Sequence, residues 1–178
     1  LNCKNVTFLN NFVTRAKDEP KQTELKGDAG KRIVCLANLR SQKNHLLLLD
    51  AFKAVQDFNN DWTLHLVGKD QKDDYACQVR ERIGALNLGN KVFIYGNKSD
   101  IYNILSQCDI GVLSSSSEGL PLALLEYGLA KLPVVATNVG DCKKVVFSKN
   151  EGLLVEVGQT EQFTKALLNY MKDEKIRK

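Results

Sequence analysis

The sequence predicts an α/β fold, in which a doubly wound parallel sheet of about six strands carries helices on both faces. Short apolar runs alternate with amphipathic runs, and the connections between them are short. The apolar runs are rich in Val, Ile and Leu, which is typical of strands buried on both faces. The predicted strands are RIVCLAN (32–38), WTLHLV (62–67), KVFIYG (91–96), DIGVLS (109–114), PVVAT (133–137) and GLLVEV (152–157).

Helices are predicted between these strands, at residues 44–58, 74–85, 99–106, 119–131, 141–147 and 160–172. Asn44 and Ser99 are predicted N-caps, because such side chains accept hydrogen bonds from the free N–H groups that begin a helix. Residues 1–30 differ, since RAKDEPKQTELKGDAGK is polar and contains proline and glycine. We therefore expect a linker or surface segment at 1–30 and one domain at 31–178.

Length and composition limit the possible functions. The chain has 178 residues, 43% of them hydrophobic, which suffices for one well-packed domain. Lys and Arg total 25 and Asp and Glu 21, spread along the chain, so the net charge of +4 does not indicate a nucleic-acid partner. No apolar run approaches the roughly 18 residues of a membrane span, which predicts a soluble chain. The chain begins without Met and stops within a helical pattern, so we expect a piece of a longer protein.

The cysteines and histidines indicate no metal or cofactor. The five cysteines are odd in number and isolated, and three lie in or beside apolar runs, which predicts reduced thiols and a cytoplasmic compartment. Two histidines and no CxxC leave no zinc site. His45 and His65 are expected to be structural, because neither has a nucleophile or acid partner nearby in the sequence. We expect no cofactor.

A candidate ligand site follows the fourth predicted strand. Ligands of doubly wound sheets bind beyond the carboxyl ends of the strands, where helix N-termini direct their N–H groups. The loop SSSSEG (114–119) lies at such an end, and Gly119 lets an anion approach the backbone. Gly119, Leu122 and Glu126 fall on one face of the predicted helix. Glu126 stands among apolar residues, which costs desolvation energy unless a polar group, here a ligand, faces it.

The loop after the first strand adds two cations to the same edge of the sheet. In ANLRSQKNH, Arg40 and Lys43 directly follow the strand, where together they suit a diphosphate. Taken alone, each residue is better explained as an ordinary solvated charge. Because both loops lie at equivalent ends of parallel strands, the combination favours an anion site.

These motifs resemble a known family. EGLPLALLE, from Glu118 to Glu126, resembles the Glu-x7-Glu signature of the retaining GT-B glycosyltransferases, glycosyl transferases group 1 or family 4. LANLRSQKNH resembles the phosphate loop of that family, and KVFIYGNKSDIYNILSQCDIGVLSSSSEG resembles its base and sugar contacts. LAKLPVVATNVGDCKKVV and EGLLVEV follow in family order, so the resemblance covers about residues 31–172. VTFLNNFV (6–13) resembles the crossing between the two domains of such enzymes.

The resemblance implies a Rossmann-like domain that is the donor-binding, C-terminal half of a GT-B fold, with the N-terminal acceptor domain absent. Glu118 would accept hydrogen bonds from hydroxyls of the donor sugar, and Lys43 would neutralise the diphosphate leaving group. Glu126 would accept both ribose hydroxyls. The family commonly has an Arg where this chain has Asn38, and Arg40 would substitute for it. The catalytic residues implied are Glu118, Lys43 and Arg40, and the donor-binding residues are Asn38, Gly96, Asn97, Lys98, Ser115, Gly119, Leu120, Leu122 and Glu126.

The implied reaction is transfer of a sugar from a nucleotide-sugar to a saccharide or lipid-linked acceptor in polysaccharide or glycolipid synthesis. A UDP-sugar is preferred over GDP-mannose on family frequency alone, and no magnesium is implied, because the chain lacks Asp-x-Asp. The full-length protein would associate peripherally with the inner face of the membrane, and this chain alone would be inactive. Three alternatives stay open: a non-catalytic nucleotide-sugar-binding module, a GT-B sugar epimerase, and a flavodoxin-like signalling domain.

Overall fold

The structure, a computed structural model, describes residue 13 and residues 21–148 and 151–177 of the chain. It confirms the predicted α/β architecture, because six parallel strands form one sheet in the order β3-β2-β1-β4-β5-β6. The strands are β1 (Arg32–Leu36), β2 (Thr63–Val67), β3 (Val92–Gly96), β4 (Ile110–Leu113), β5 (Val134–Thr137) and β6 (Gly152–Val155). The segment VTFLNNFV, interpreted above as an interdomain crossing, lies outside the described residues apart from Val13.

The described residues form six helices, of which five connect successive strands and the last follows β6. They are α1 (His45–Gln56), α2 (Asp74–Ala85), α3 (Ile101–Leu105), α4 (Leu122–Leu129), α5 (Cys142–Val145) and α6 (Thr160–Lys172), and a 3-10 turn at Ser41–Lys43 precedes α1. None of these helices is long and apolar enough to cross a membrane, a finding that extends to the described residues alone.

The sheet separates two apolar cores. Successive side chains of β1 point to opposite faces, so that Ile33 and Cys35 enter the core formed with α1, α2 and α6. Val34 enters the core formed with α3, α4 and α5. Because helices cover both faces, β2, β4 and β5 are buried along their whole length. Burial on both faces of the sheet therefore explains why the predicted strands are so apolar.

Two predicted helix starts are wrong. Helix α4 begins at Leu122 rather than near residue 119, because Pro121 is extended (φ −75°, ψ 113°) and stands before the first helical residue. Gly119 consequently lies in the loop and not on a helix face with Glu126. Asn44 is an N-cap as predicted, since its side chain accepts a hydrogen bond from the Leu47 N–H group, but Asp100 rather than Ser99 precedes α3.

The segment before β1 is fixed to the start of α3. The Asp100 carboxylate accepts hydrogen bonds from the main-chain N–H groups of Gln22 (3.0 Å) and Thr23 (2.7 Å) and from the Thr23 hydroxyl (2.9 Å). Side-chain amides of Asn103 and Gln107 donate to the Thr23 carbonyl, each at 2.9 Å. The main chain of residues 22 and 23 is thus bound to α3 and to residues on either side of it, and the boundary at residue 30 stays a prediction.

Candidate functional site

A pocket of about 400 Å³ lies at the carboxyl ends of β1 and β4. The strand order reverses between these two strands, since β2 and β3 lie on one side of them and β5 and β6 on the other. A crevice at such a reversal is where doubly wound sheets bind ligands. The pocket brings together most of the residues predicted for the site: Asn38, Lys43, Asn97, Lys98, Glu118, Leu120, Leu122 and Glu126.

Four predicted residues do not line the pocket. Arg40 is exposed and lies outside the pocket lining. The basic side chains of that lining are those of Lys43 and Lys98. The Gly96 carbonyl accepts a hydrogen bond from the Gly68 N–H group at 3.0 Å, and the Gly119 carbonyl accepts one from the Asp141 N–H group at 3.0 Å. Ser115 is buried behind the carboxylate of Glu118.

Lys43 and Glu118 form an ion pair within the pocket. The Lys43 Nζ lies 2.6 Å from Glu118 Oε1, and the two side chains are 22% and 10% exposed. The Ser115 hydroxyl donates to the same carboxylate oxygen at 2.6 Å. Because the pair is largely shielded from water, its attraction exceeds that of a surface ion pair.

The two loops that carry this pair are joined through their backbones. Lys43 ends the 3-10 turn after β1, and its carbonyl accepts a hydrogen bond from the Ser114 hydroxyl at 2.8 Å. The neighbouring carbonyl of Gln42 accepts one from the Ser116 N–H group at 2.8 Å. These contacts hold the loop that carries Lys43 against the loop that carries Glu118.

The end of β5 and the loop that follows it pack against the backbone of the loop that carries Glu118. Gly140 has a φ of +51°, and a Cβ atom at this position would lie 2.0 Å from the Glu118 carbonyl oxygen. The Thr137 hydroxyl donates to the Ser115 carbonyl at 2.5 Å. The backbone on both sides of Glu118 is therefore in contact with β5 and the loop that follows it.

The opposite wall is formed by the ends of β2 and β3. The Asn38 side chain accepts a hydrogen bond from the Lys69 N–H group at 2.7 Å, which ties the end of β1 to the end of β2. Sequence reasoning missed the apolar and small residues of this lining: Leu36, Ala37, Val67, Gly68, Ile101, Leu113, Pro121 and Ala123. Several of them stand at strand ends, so the same rule that identified the polar residues could have found them.

The histidines take no part in this pocket. His45 and His65 are both buried, and burial lowers the pKa of each to about 4, so both are neutral at pH 7. The His65 Nε2 lies 2.9 Å from the Thr63 hydroxyl. The ionisable groups that do line the pocket are two lysines and two glutamates, Lys43, Lys98, Glu118 and Glu126. Such a set can bind phosphate oxygens and sugar hydroxyls side by side.

Comparison with known proteins relates the chain to sugar-transferring enzymes. Residues 16–178 match the family described as glycosyl transferases group 1. The chain is 30% identical over 145 residues to the UDP-Gal:alpha-D-GlcNAc-diphosphoundecaprenol alpha-1,3-galactosyltransferase of Escherichia coli, covering 78% of the chain and 36% of that protein. It is 26% identical over 182 residues to the N-acetyl-alpha-D-glucosaminyl L-malate synthase of Bacillus anthracis, covering 98% and 46%. The chain thus spans less than half the length of these two relatives.

Solved structures share the fold. The C-terminal domain of LpcC, a glycosyl transferase group 1 protein of Francisella tularensis, superposes with a TM-score of 0.76 at 24% identity, covering 85% of this chain and 80% of that domain. HepE of Anabaena in complex with UDP superposes with a TM-score of 0.76 at 23% identity, covering 82% and 40%. At these identities the similarity shows that this chain shares its fold with both proteins.

Proposed function

The chain belongs to the group 1 glycosyl transferases, and from this premise we propose that it is the donor half of a retaining enzyme that transfers a sugar from a UDP-sugar. The observation that carries the proposal is the grouping of Lys43, Glu118 and Glu126 around one pocket at the reversal of the strand order. Family membership also argues against the flavodoxin-like signalling domain considered above.

Each end of the donor has a chemically matched group in this proposal. The Lys43 ammonium stabilises the negative charge that develops on the diphosphate as the bond to the sugar breaks. Glu118 accepts hydrogen bonds from sugar hydroxyls, and Glu126, two helical turns from the loop, accepts those of the ribose. The backbone around Gly96–Lys98 brackets the base.

The relatives support uridine as the base and a lipid-linked acceptor. The Escherichia coli relative is named for a UDP-galactose donor and a diphosphoundecaprenol acceptor, and HepE was solved with UDP and with UDP-glucose. The chain spans less than half of its curated relatives, so the acceptor groups belong to the rest of the enzyme in this proposal. Transfer requires donor and acceptor to be held in register, and we therefore expect this chain to bind the donor without transferring its sugar.

A ligand screen tests the proposal. UDP and UDP-glucose should raise the thermal unfolding midpoint of the chain, because a ligand that binds only the native state stabilises it by mass action. GDP and ADP at the same concentration carry the same diphosphate on a different base, so they serve as controls. We expect them to raise the unfolding midpoint less than UDP does. A larger shift with GDP or ADP would contradict the choice of uridine, and no shift with any nucleotide would contradict a donor site.

A further inference from the structure

Strands β1 and β4 separate directly beneath the pocket. Within the described residues they pair only at Ile33–Ile110 and Val34–Gly111, whereas β1 pairs with β2 along all five of its residues. Beyond Val34, the described residues show no further main-chain pairing between β1 and β4. Buried main-chain groups require partners, so something must fill this gap.

The hydroxyl of Tyr127 fills it. The Tyr127 oxygen accepts a hydrogen bond from the Leu36 N–H group at 2.8 Å. It also lies 3.1 Å from the Val112 carbonyl oxygen and 3.3 Å from the Val34 carbonyl oxygen. A hydroxyl has a single proton, so it donates to one of these two carbonyls at a time. A side chain of α4 thereby bridges the two strands at the point where they part.

The tyrosine ring is equally well fixed. Tyr127 is 0% exposed, and its ring lies against Gly111 of β4. A Cβ atom at Gly111 would lie 2.6 Å from the ring carbon Cγ, so only glycine leaves room for the ring in this position. The ring and its hydroxyl therefore admit one placement.

This placement determines the orientation of α4. The helix has eight residues, and Tyr127 attaches its last half to both strands. Glu126 is the preceding residue and lines the pocket from the same helix. A rotation of α4 that moved Glu126 would have to break the hydrogen bonds of the Tyr127 hydroxyl. Leu36 and Leu113, at the ends of β1 and β4, also line the pocket, so the strands and the helix are positioned together.

We propose that Tyr127 is a positioning residue, whose hydroxyl attaches α4 to β1 and β4 and so holds Glu126 in place to bind the ribose hydroxyls of the nucleotide. This inference rests on the proposed function, because it assigns Tyr127 the task of orienting the ribose-binding carboxylate. Tyr127 itself does not line the pocket.

Ribose selectivity distinguishes positioning from a general loss of stability. Calorimetric titration with UDP and with 2′-deoxy-UDP measures how much the 2′-hydroxyl contributes to binding. For the wild-type chain we expect UDP to bind about tenfold more tightly, since a hydrogen bond to a carboxylate is lost in the deoxy ligand. In Tyr127→Phe the ratio should fall to about threefold or less. A change that only destabilised the fold would leave the ratio unchanged.

Tyr170→Phe is the matched control, because Tyr170 is a buried tyrosine of α6 in the other core, and its ratio should equal that of the wild type. Gly111→Ala displaces the same ring from the side of β4 and should also lower the ratio, and Tyr127→Phe is the milder variant because it keeps the ring. A wild-type ratio near one would overturn both the ribose role of Glu126 and this inference. A wild-type preference that is lost in Glu126→Gln but kept in Tyr127→Phe or in Gly111→Ala would overturn the inference alone.

Discussion

Lys43 and Glu118 are ion-pair partners, with Lys43 Nζ and Glu118 Oε1 2.6 Å apart and both side chains largely shielded from water. Binding of a diphosphate therefore exchanges one anionic partner of Lys43 for another, rather than supplying a partner to a solvated cation. The net gain is smaller than the full value of a charge-assisted hydrogen bond. This relationship sets the expected size and sign of the effects of substitution at both residues.

Lys43→Ala should weaken UDP binding by about 1 to 2 kcal/mol, which is roughly five- to thirtyfold. The substitution removes the cation and leaves the Glu118 carboxylate beside the phosphates, where like charges repel. Isothermal calorimetry measures the change. Lys53→Ala, which removes an exposed lysine paired with Asp57, is the control and should bind UDP as the wild type does. If Lys43→Ala and Lys53→Ala bound UDP with equal affinity, Lys43 would be an ordinary ion-pair residue without a role in phosphate binding.

Glu118→Gln should separate the diphosphate from the nucleotide-sugar. The substitution releases Lys43 and removes a negative charge near the phosphates, so UDP affinity should hold or rise slightly. Affinity for UDP-glucose should fall, because the amide is a weaker acceptor for the sugar hydroxyls. Glu126→Gln is the contrasting variant, and we expect it to weaken both ligands by a similar factor, since both contain the ribose. If each variant lowers the affinities for UDP and for UDP-glucose by the same factor, the division of roles between the two glutamates is refuted.

Asp100 should contribute stability that depends on pH. Burial would raise the pKa of this carboxyl, but hydrogen bonds from Thr23, Asn103 and Gln22 outweigh it and hold the pKa at about 2. Because the folded-state pKa lies below the ordinary value of 3.8, the contribution is present at neutral pH and is lost as the pH falls from about 4 towards 2. Its size is about 2 kcal/mol by linkage.

Asp100→Asn should therefore lower the free energy of unfolding at pH 7 by about 2 kcal/mol, and should flatten its decline between pH 4 and pH 2. Urea titrations at several pH values measure both effects. Asp61→Asn is the control, because Asp61 is exposed and pairs with Lys31 at the surface. A variant at Asp100 with the acid sensitivity of the wild type would show that another carboxyl governs this range.

Gly140→Ala should destabilise the chain and disturb the Glu118 loop. The added Cβ atom would lie 2.0 Å from the Glu118 carbonyl oxygen, and φ is +51°. Gly158→Ala is a matched control, since φ is +79° and no atom lies within 4 Å of the added Cβ. The control should cost about 1 kcal/mol for the left-handed backbone alone, and Gly140→Ala should cost more. Denaturation and UDP-glucose titration should show a binding defect in Gly140→Ala only, and equal behaviour of the two variants would contradict the support assigned to Gly140.

The periodic part of the fold could be predicted from the sequence. Helices α2 and α6 begin and end at the predicted residues, and the six strands match to within a few residues, because burial on both faces leaves a strong apolar signal. The start of α4 could not be predicted in the same way. Proline is common both at the position before a helix and in its first turn. Which of these positions Pro121 takes depends on the surrounding loops and not on the local sequence.

The polar contacts of the site were less predictable. Lys43 and Glu118 are 75 residues apart, and no local pattern indicates that their side chains meet. Arg40 and Lys43 were predicted together from one loop, but the 3-10 turn between them directs Lys43 into the pocket and leaves Arg40 exposed. Lys98 was predicted as a donor-binding residue, and its side chain adds a second cation to the lining. Tyr127 looked like one more apolar residue of its helix, and its bridging hydroxyl depends on the separation of β1 and β4.

The formal charges of the pocket lining cancel, because its two lysines stand against two glutamates. Sulfate therefore meets little net attraction, and it would have to part Lys43 from Glu118 while offering the carboxylate no hydrogen-bond donor in return. A molecule that carries hydroxyl groups next to its phosphates supplies a replacement partner to each residue. The pocket thus discriminates against a simple anion such as sulfate, and it favours a composite ligand before any contact with the base is made.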